Sequence, residues 1–161
     1  MATGDSGVVT PATESAMPAA GRLLHDFNRE FGEPAPPADV LAARLRELVA
    51  SGDTAVLLAG AEPAAKPVGI AVLRFRGAIF SAGLECYLAE LYVIPERRGQ
   101  GVGRALMDAV LSEARQRRAD RIEIGVDEPD HAARRLYESF GFTNRTGGPD
   151  GPHMYVYERD L

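Results

Sequence analysis

The sequence predicts an α+β (mixed α/β) fold in which one sheet of about seven strands is flanked by four helices. Apolar residues recur at helical spacing in four segments, and they alternate or run continuously in the segments between them. The 161 residues suffice for one buried core without disulfides or metals. Because no internal repeat or long linker divides the chain, we expect a single domain over residues 8–161, preceded by a disordered start at residues 1–7.

The first half of the chain predicts a strand, two helices and a hairpin. Apolar side chains at helical spacing mark the two helices, and Pro34, Pro36 and Pro37 stiffen the loop between them. Asp39 is placed to cap the second helix. Apolar runs on either side of a proline-containing loop predict the two strands of the hairpin. The predicted elements lie at residues 8–10, 14–31, 39–51, 54–61 and 68–76.

The second half of the chain alternates strands with helices. A long apolar run ends at Pro95, a cluster of glycines follows, and an amphipathic helix then begins. Ile122, Ile124 and Val126 alternate along a further strand. A last helix ends at Gly141, a residue type suited to helix C-termini, and two short strands around a glycine-rich loop complete the sheet. These elements lie at residues 85–95, 102–118, 121–126, 133–140, 142–143 and 154–158.

The composition limits which binding partners and which cellular compartment we expect. The net charge of −5 and the isoelectric point near 5.2 argue against a nucleic acid or an anionic membrane as the partner. Cys86 is the only cysteine, so we expect no disulfide and interpret it as a small buried residue rather than a nucleophile. His25, His131 and His153 lack ligand spacing, so we expect no metal. Without a signal peptide or an apolar stretch of membrane length, we expect a cytoplasmic protein.

The segment RRGQGVGRAL at residues 97–106 places three glycines where a helix begins. A helix N-terminus presents unpaired N–H groups and about half a positive elementary charge, so a bare backbone there suits a phosphate. The segment is not a P-loop, because Arg104 and Ala105 follow the last glycine, and Arg104 also breaks the dinucleotide pattern that starts at Gly99. The segment therefore predicts a different diphosphate site, with a simple glycine-rich turn as the alternative.

Two motifs resemble those of the GNAT-type N-acetyltransferases. Residues 98–103, RGQGVG, match the signature Gln/Arg-x-x-Gly-x-Gly/Ala after a long strand, and residues 133–142 are similar to the family's A-x-x-L-Y-x-x-x-G-F helix. The resemblance implies a mostly antiparallel sheet, acetyl-CoA as the acetyl donor, no metal, and direct transfer to a primary amine in a ternary complex. Asp130 stands where the family often has asparagine, seven residues before the tyrosine, and preserves a helix cap.

The same resemblance assigns the cofactor to the long strand and to both motifs. In the family, the backbone of two strand positions binds the pantetheine arm, and the glycine segment binds the diphosphate. The cofactor-binding residues that it implies are Leu91, Val93, Arg98, Gly99, Gln100, Gly101, Val102, Gly103, Arg104, Asp130 and Ala133.

Two side chains are candidates for catalysis. By resemblance, Tyr137 donates a proton to the departing sulfur, with a core aromatic as the alternative role. Glu90 lies in an otherwise apolar strand, where burial would raise its pKa toward that of a useful base; a solvent-facing or ion-paired carboxylate is the alternative. Glu85 at the start of the strand is the other candidate base, and a water relay could assist either.

The acceptor is a primary amine by resemblance, and the loops that select it in the family carry carboxylates here. Residues 30–39 and 144–152 contain Glu30, Glu33, Asp39 and Asp150, which favour a cationic small molecule such as a polyamine or an aminoglycoside. A protein N-terminus or lysine is the alternative acceptor, and acyl groups other than acetyl stay open. A non-catalytic acyl-CoA-binding module and a cofactor-free binding protein are the alternative functions. Many relatives form homodimers, so a homodimer is an expectation from resemblance alone.

Overall fold

A computed structural model describes residues 7–60 and 66–161 and divides the chain into two compact units, one up to Ile124 and one from Gly125. In these ranges the first unit carries the sheet and three helices, and the second carries one helix. The expected disorder at residues 1–7 falls almost entirely outside the described residues. Disorder there and a single domain over residues 8–161 stay predictions.

The helices and strands follow the predicted order through α4. The helices are α1 (Met17–Glu30), α2 (Ala38–Ala50), α3 (Val102–Gln116) and α4 (His131–Ser139), with 3-10 turns at Glu14–Ala16 and Pro95–Arg97. The strands are β1 (Val9–Pro11), β2 (Thr54–Ala59), β3 (Gly69–Gly77), β4 (Leu84–Val93) and β5 (Ala119–Glu123). Among the described residues, no helix has the length and apolarity that a membrane crossing requires.

The sheet follows chain order, β1-β2-β3-β4-β5. Neighbouring strands are antiparallel from β1 to β4, and β5 pairs with β4 in parallel, with α3 between them in the chain. The predicted pairing of β2 with β3 is confirmed in register from Thr54↔Arg74 to Ala59↔Gly69. Most of the predicted hairpin loop, at residues 61–65, lies outside the described residues.

The sheet of the first unit packs helices on both faces. Buried apolar side chains of α1, α2 and the middle strands form one cluster, in which Leu23, Leu45 and Val72 take part. On the opposite face, Val102 and Leu106 of α3 approach the backbone of β3 so closely that a Cβ at Gly69 would crowd both. The sheet is therefore packed between helices, and β4 is contacted by α1 on one face and by α3 on the other.

The prediction of about seven strands is wrong, because five strands form the sheet within residues 7–60 and 66–161. The predicted strands at 142–143 and 154–158 do not form, and one isolated bridge, Arg145↔His153, lies between these two segments. Gly147 and Gly148 adopt positive φ in the intervening loop, and Pro152 has no N–H to donate. The side chains that alternate beyond His153, at residues 154–157, are all exposed, so no buried face fixes a strand register there.

The predicted cap of α2 is also wrong. Pro37 is the residue before the helix, no side chain caps it, and Asp39 lies inside the first turn. Proline is compatible with this position because the first helical amides have no intrahelical acceptor, and an acidic residue in the first turn still complements the helix dipole.

Candidate active site

The glycine segment forms the entrance to α3. Gly99 and Gly101 lie in the left-handed region, with φ values of 71° and 85°, and Gly101 is the residue that precedes α3. L-residues with side chains are strained in this region, which accounts for glycine at both positions. A Cβ at either position would meet no other atom within 4 Å, so the space next to this backbone is open.

The first amides of α3 are available to a ligand. No side chain caps the helix, and its first hydrogen bond runs from the N–H of Ala105 to the carbonyl of Gly101, at 3.0 Å. Within the described part of the chain, the N–H groups of Gly101, Val102 and Gly103 donate no hydrogen bond. Unpaired donors at the positive end of a helix dipole favour an anion, and this supports the predicted diphosphate site.

The side chain of Arg98 is engaged with the protein. Its two terminal nitrogens donate to the two carboxylate oxygens of Glu30, each at 2.7 Å, and its Nε donates to the carbonyl of Val93 at 2.9 Å. The guanidinium also lies 5.6 Å from the ring centroid of Tyr92. The hydrogen bonds from Arg98 lower the pKa of the Glu30 carboxyl. Arg98 thus links the glycine segment to the end of α1 and the end of β4. Because this side chain is engaged, the backbone of the segment is the part that remains available to a ligand.

Gln100 stiffens the same segment from the other side. Its Nε2 donates to the carbonyl of Glu96 at 3.0 Å, and its Oε1 accepts from Nε of Arg97 at 3.1 Å. Two side chains that the sequence assigned to the cofactor, those of Arg98 and Gln100, therefore hold the loop in shape. The hydrogen bonds between Arg98 and Glu30 are bidentate and charge-assisted, so they fix the orientation of the Arg98 side chain.

One edge of β4 is unpaired along its second half. The parallel pairing with β5 runs from Leu84↔Ala119 to Tyr87↔Glu123 and then ends, while the pairing with β3 continues to Val93. The backbone from Leu88 to Val93 therefore has no strand partner on that edge among the described residues. Leu91 and Val93, predicted to bind the pantetheine arm, lie on this free edge. Edge N–H and C=O groups of this kind are ready to pair with an extended ligand.

A β-bulge in β4 determines where Glu90 lies. Val72 pairs with Glu90 and Leu73 pairs with Leu88, so Ala89 is an extra residue on β4. Partners that face each other across a ladder project to the same side of a sheet. Glu90 therefore shares the face of Val72, which packs against α1 and α2.

Glu90 is half-buried and unpaired. No described residue donates a hydrogen bond to its carboxylate or forms an ion pair with it. Burial raises the pKa of this carboxyl above its ordinary value, as a base that accepts a proton from an amine requires. Glu85, the other candidate base, instead accepts a hydrogen bond from Nε of Arg76 at 2.6 Å. Of the two, Glu90 has the surroundings of a base.

The second unit carries the remaining predicted site residues on α4. The Asp130 carboxylate accepts a hydrogen bond from the N–H of Ala133 at 3.0 Å, so the predicted cap is present. Tyr137 is 8% exposed, and its ring lies 6.2 Å from that of Phe142. Burial, with a smaller contribution from the Asp130 charge, raises the pKa of Tyr137 to about 12, so its hydroxyl is protonated at neutral pH. This protonation state is the one that a proton donor needs.

Cys86 and the histidines occupy other places. Cys86 is 2% exposed, and burial raises the pKa of its thiol to about 11, which leaves little thiolate at neutral pH. His25 hydrogen-bonds through Nδ1 to the carbonyl of Pro36. Among the described residues, no three His, Cys, Asp or Glu side chains are grouped so that they could hold a metal ion.

The comparisons with known proteins decide the family. A model of the acetyltransferase (GNAT) family matches residues 21–142, well over half of the chain. The chain belongs to the GNAT family. The resemblance read from the two motifs is therefore confirmed, and so is the acyltransferase class at the level of the family.

Several relatives of this GNAT chain have names or structures. It is 43% identical to a crystal structure from Arthrobacter sp. FB24 assigned as an acetyltransferase, with all of both chains covered and a TM-score of 0.84. It is 48% identical over 67 residues to a mycothiol acetyltransferase from Thermobispora bispora, a stretch that covers 40% of this chain and 23% of that relative. The chain thus spans about a quarter of the length of this curated relative.

One structural neighbour is similar in fold alone. An aminoglycoside acetyltransferase from an uncultured soil metagenomic sample, in complex with sisomicin, is 20% identical with a TM-score of 0.69, over 94% of this chain and 96% of that chain. At this level of identity the comparison supports the GNAT fold of this chain and no more.

The residues of this chain fit the cofactor that the GNAT family uses. Coenzyme A carries a diphosphate and an amide-rich arm, and the chain offers free amides at the start of α3 and a free strand edge on β4. The open space beside Gly99 and Gly101 leaves room for the diphosphate. The roles of the individual cofactor-binding residues stay predictions.

Sequence reasoning missed two features of this site. Glu30 and Arg98 are far apart in the chain, and no local sequence pattern indicates that they form a contact. The bulge at Ala89 leaves no composition signal, although a carboxylate at odd spacing from Tyr87 in an apolar strand hints at it.

Proposed function

We propose that this chain transfers an acetyl group from acetyl-CoA to a primary amine by direct attack in a ternary complex. The observation that carries the proposal is the arrangement of unpaired amides at the start of α3 next to the free edge of β4. Family membership supports the donor, and the half-buried, unpaired Glu90 supports an amine as the acceptor.

The side chains divide the proton transfers between them. Bound acetyl-CoA supplies an acetyl group activated as a thioester. Glu90 accepts a proton from the ammonium group, directly or through water, because its raised pKa brings it closer to that of the amine. An N–H on the free edge of β4, near Leu91 to Val93, polarises the carbonyl of the acetyl group. Tyr137 holds the proton for the departing sulfur at its hydroxyl.

The acceptor that we propose is a cationic small molecule, of the polyamine or aminoglycoside kind. A cleft of about 370 Å³ lies between the second half of α1 and the end of β4, lined by Asp26, Arg29, Glu30, Tyr92 and Pro95. Glu30 is already paired with Arg98, so Asp26 is the carboxylate of this cleft that would attract a cation, with Arg29 beside it. Tyr92 shares a strand face with Glu90 two residues earlier. This support is electrostatic, so a protein amine remains the alternative acceptor.

Ligand-dependent stability tests the donor first. At 100 times its Kd, acetyl-CoA should stabilise the fold by about 2.7 kcal/mol, measured as a rise in Tm, whereas NAD and ATP at equal concentration should have little effect. A panel of polyamines, aminoglycosides and lysine peptides, with detection of released thiol, then tests the transfer. A rise in Tm without amine-dependent thiol release would indicate a non-catalytic acyl-CoA-binding module. No rise with acetyl-CoA would overturn the proposal.

A further inference from the structure

Glu30 is the last residue of α1 and lines the cleft assigned to the acceptor. Both of its carboxylate oxygens already accept hydrogen bonds from the terminal nitrogens of Arg98, each at 2.7 Å. The Tyr92 hydroxyl also interacts with this carboxylate. A cationic acceptor would have to displace Arg98 in order to bind Glu30, and a bidentate, charge-assisted pair resists such displacement. Glu30 therefore faces the acceptor cleft without being free to bind an acceptor.

A well-packed part of the first unit anchors Glu30. Phe27, three residues earlier on α1, stacks on the ring of Tyr92 with 5.0 Å between the ring centroids. Tyr92 belongs to the apolar core cluster, and Phe27 packs against that cluster. The end of α1 is thereby fixed relative to the end of β4, and the Glu30 side chain is 29% exposed. A carboxylate that is held in this way can orient the group that it binds.

The glycine segment that follows Arg98 needs such an external restraint. Gly99 and Gly101 adopt positive φ, and a Cβ at either position would have no atom within 4 Å. Because glycine has the greatest backbone freedom, these two residues do not restrain the chain by themselves. Val102, which is 1% exposed, fixes the far end of the segment in the core. The pair of Arg98 with Glu30 fixes its near end.

The charge of Arg98 distinguishes two roles for Glu30. An arginine next to a diphosphate commonly binds it with the side chain, in which case Glu30 would hold Arg98 back from the ligand and its loss would strengthen binding. If Glu30 instead keeps the segment in shape, its loss weakens binding. The Arg98 side chain would then keep a single hydrogen bond, from Nε to the carbonyl of Val93 at 2.9 Å. The unpaired amides at the start of α3 favour the second role, because they already supply donors for the anion.

We propose that Glu30 is a positioning residue for the donor: by holding Arg98, it keeps the backbone amides from Gly101 to Gly103 in the arrangement that binds the diphosphate of acetyl-CoA. The inference rests on the proposed function, because that function makes acetyl-CoA the ligand of this segment. Donors that are already in place bind an anion more tightly, since less ordering is required when the ligand arrives. Glu30 acts through Arg98 and contacts neither the donor nor the acceptor.

The test compares coenzyme A with pantetheine, which lacks the diphosphate. Glu30→Gln removes the charge and one of the two acceptor oxygens, so we expect it to raise Kd for coenzyme A about 10-fold or more. Kd for pantetheine should change less than about 2-fold, because the arm binds elsewhere, on the free edge of β4. Calorimetry measures the first Kd and NMR titration the second. In turnover, KM for acetyl-CoA should rise while kcat and KM for the amine stay within about 2-fold.

A double-mutant cycle tests whether Glu30 acts through Arg98. Arg98→Met should raise Kd for coenzyme A as much as Glu30→Gln does, and the double variant should show no further loss, because each change breaks the same contact. Arg98→Lys should also bind coenzyme A more weakly than the native protein does. Lysine keeps the positive charge but lacks the planar fork that holds both carboxylate oxygens.

A second ion pair on α3 provides the matched control. Glu113, in the last turn of the helix, accepts a hydrogen bond from Nε of Arg117 at 2.7 Å, and its side chain is 20% exposed. Glu113→Gln therefore breaks a comparable pair at the opposite end of α3 from the glycine segment. It should lower Tm by about as much as Glu30→Gln does and leave Kd for coenzyme A unchanged. This comparison separates positioning from a general loss of stability.

Several outcomes would overturn the positioning role. An unchanged Kd for coenzyme A in Glu30→Gln would do so, and tighter binding would show that Glu30 withholds Arg98 from the ligand. A further loss in the double variant, or equal losses for coenzyme A and pantetheine, would also count against it. A rise in KM for the amine alone would make Glu30 an acceptor residue. If the native protein binds coenzyme A in a manner that depends on Glu30 but acetylates no amine, the proposed function fails and the positioning role stands.

Discussion

At the scale of single residues, Glu90 combines a cost to the fold with a use in the proposed reaction. Burial raises its pKa, so the ionised form is less favourable in the folded chain than in the unfolded chain. The stability associated with its protonated form is present below the ordinary glutamate pKa and is lost as the pH rises through the raised value. At neutral pH, Glu90 is therefore a destabilising residue that a functional site can tolerate.

Glu90→Gln should lower turnover by about 10²-fold or more, because it removes the base, and should raise Tm at pH 7, because it removes a half-buried charge. The gain in Tm over the native protein should shrink at pH 4. Released thiol and thermal unfolding at both pH values measure these effects. Glu85→Gln is the matched control, since its carboxylate is held by Arg76. If turnover falls in Glu85→Gln and not in Glu90→Gln, the base is Glu85.

Tyr137→Phe should lower turnover by about 10²-fold or more while acetyl-CoA binding changes little, because only the hydroxyl proton is removed. The pKa of about 12 keeps that proton in place at neutral pH, so the native turnover should show no loss from tyrosine ionisation up to pH 9. Steady-state kinetics across pH and the Tm shift with acetyl-CoA measure the two effects separately. Unchanged turnover in the variant would leave Tyr137 as a core aromatic only.

At the scale of elements, the approach of α1 to α2 depends on one glycine. A Cβ at Gly21 would clash with the carbonyl of Ala38 and lie 2.8 Å from the nitrogen of Ala42. Gly21→Ala should therefore lower Tm by about 3 °C or more, although alanine is the better helix former by about 1 kcal/mol. Gly125→Ala, with no atom within 4 Å of the new Cβ, is the control and should leave Tm nearly unchanged. A rise in Tm for Gly21→Ala would show that the helices can separate at little cost.

Elements with a buried face could be predicted from the sequence, and those without one could not. The apolar run of β2 is buried at every position, and the buried residues of α3 recur at helical spacing. Each pattern therefore fits only one type of secondary structure. The segment beyond His153 alternates Met154, Tyr155, Val156 and Tyr157 convincingly, yet all four are exposed. Alternation predicts a strand only where another element covers one of its faces.

At the scale of the whole molecule, the two family motifs predicted the fold type, the family and the proposed donor, because each motif is local in sequence. The cap between Asp130 and Ala133 could be predicted for the same reason. The clamp of Arg98 on Glu30 depends on residues brought together by folding. The spacing of residues in the sequence does not indicate such contacts, so the acceptor side of the site could not be predicted from the sequence.

The proposed chemistry depends on Ala89 of β4 staying outside the ladder as a bulge. Three steps separate Tyr87 from Glu90, an odd number, and only the bulge at Ala89 returns the carboxylate to the side where Tyr87 and Arg74 lie. If Ala89 instead took a regular place in the ladder, every residue beyond it would change sides, with Leu91 facing the acceptor and Glu90 facing α3, whereas deleting Ala89 would leave Glu90 on its present side.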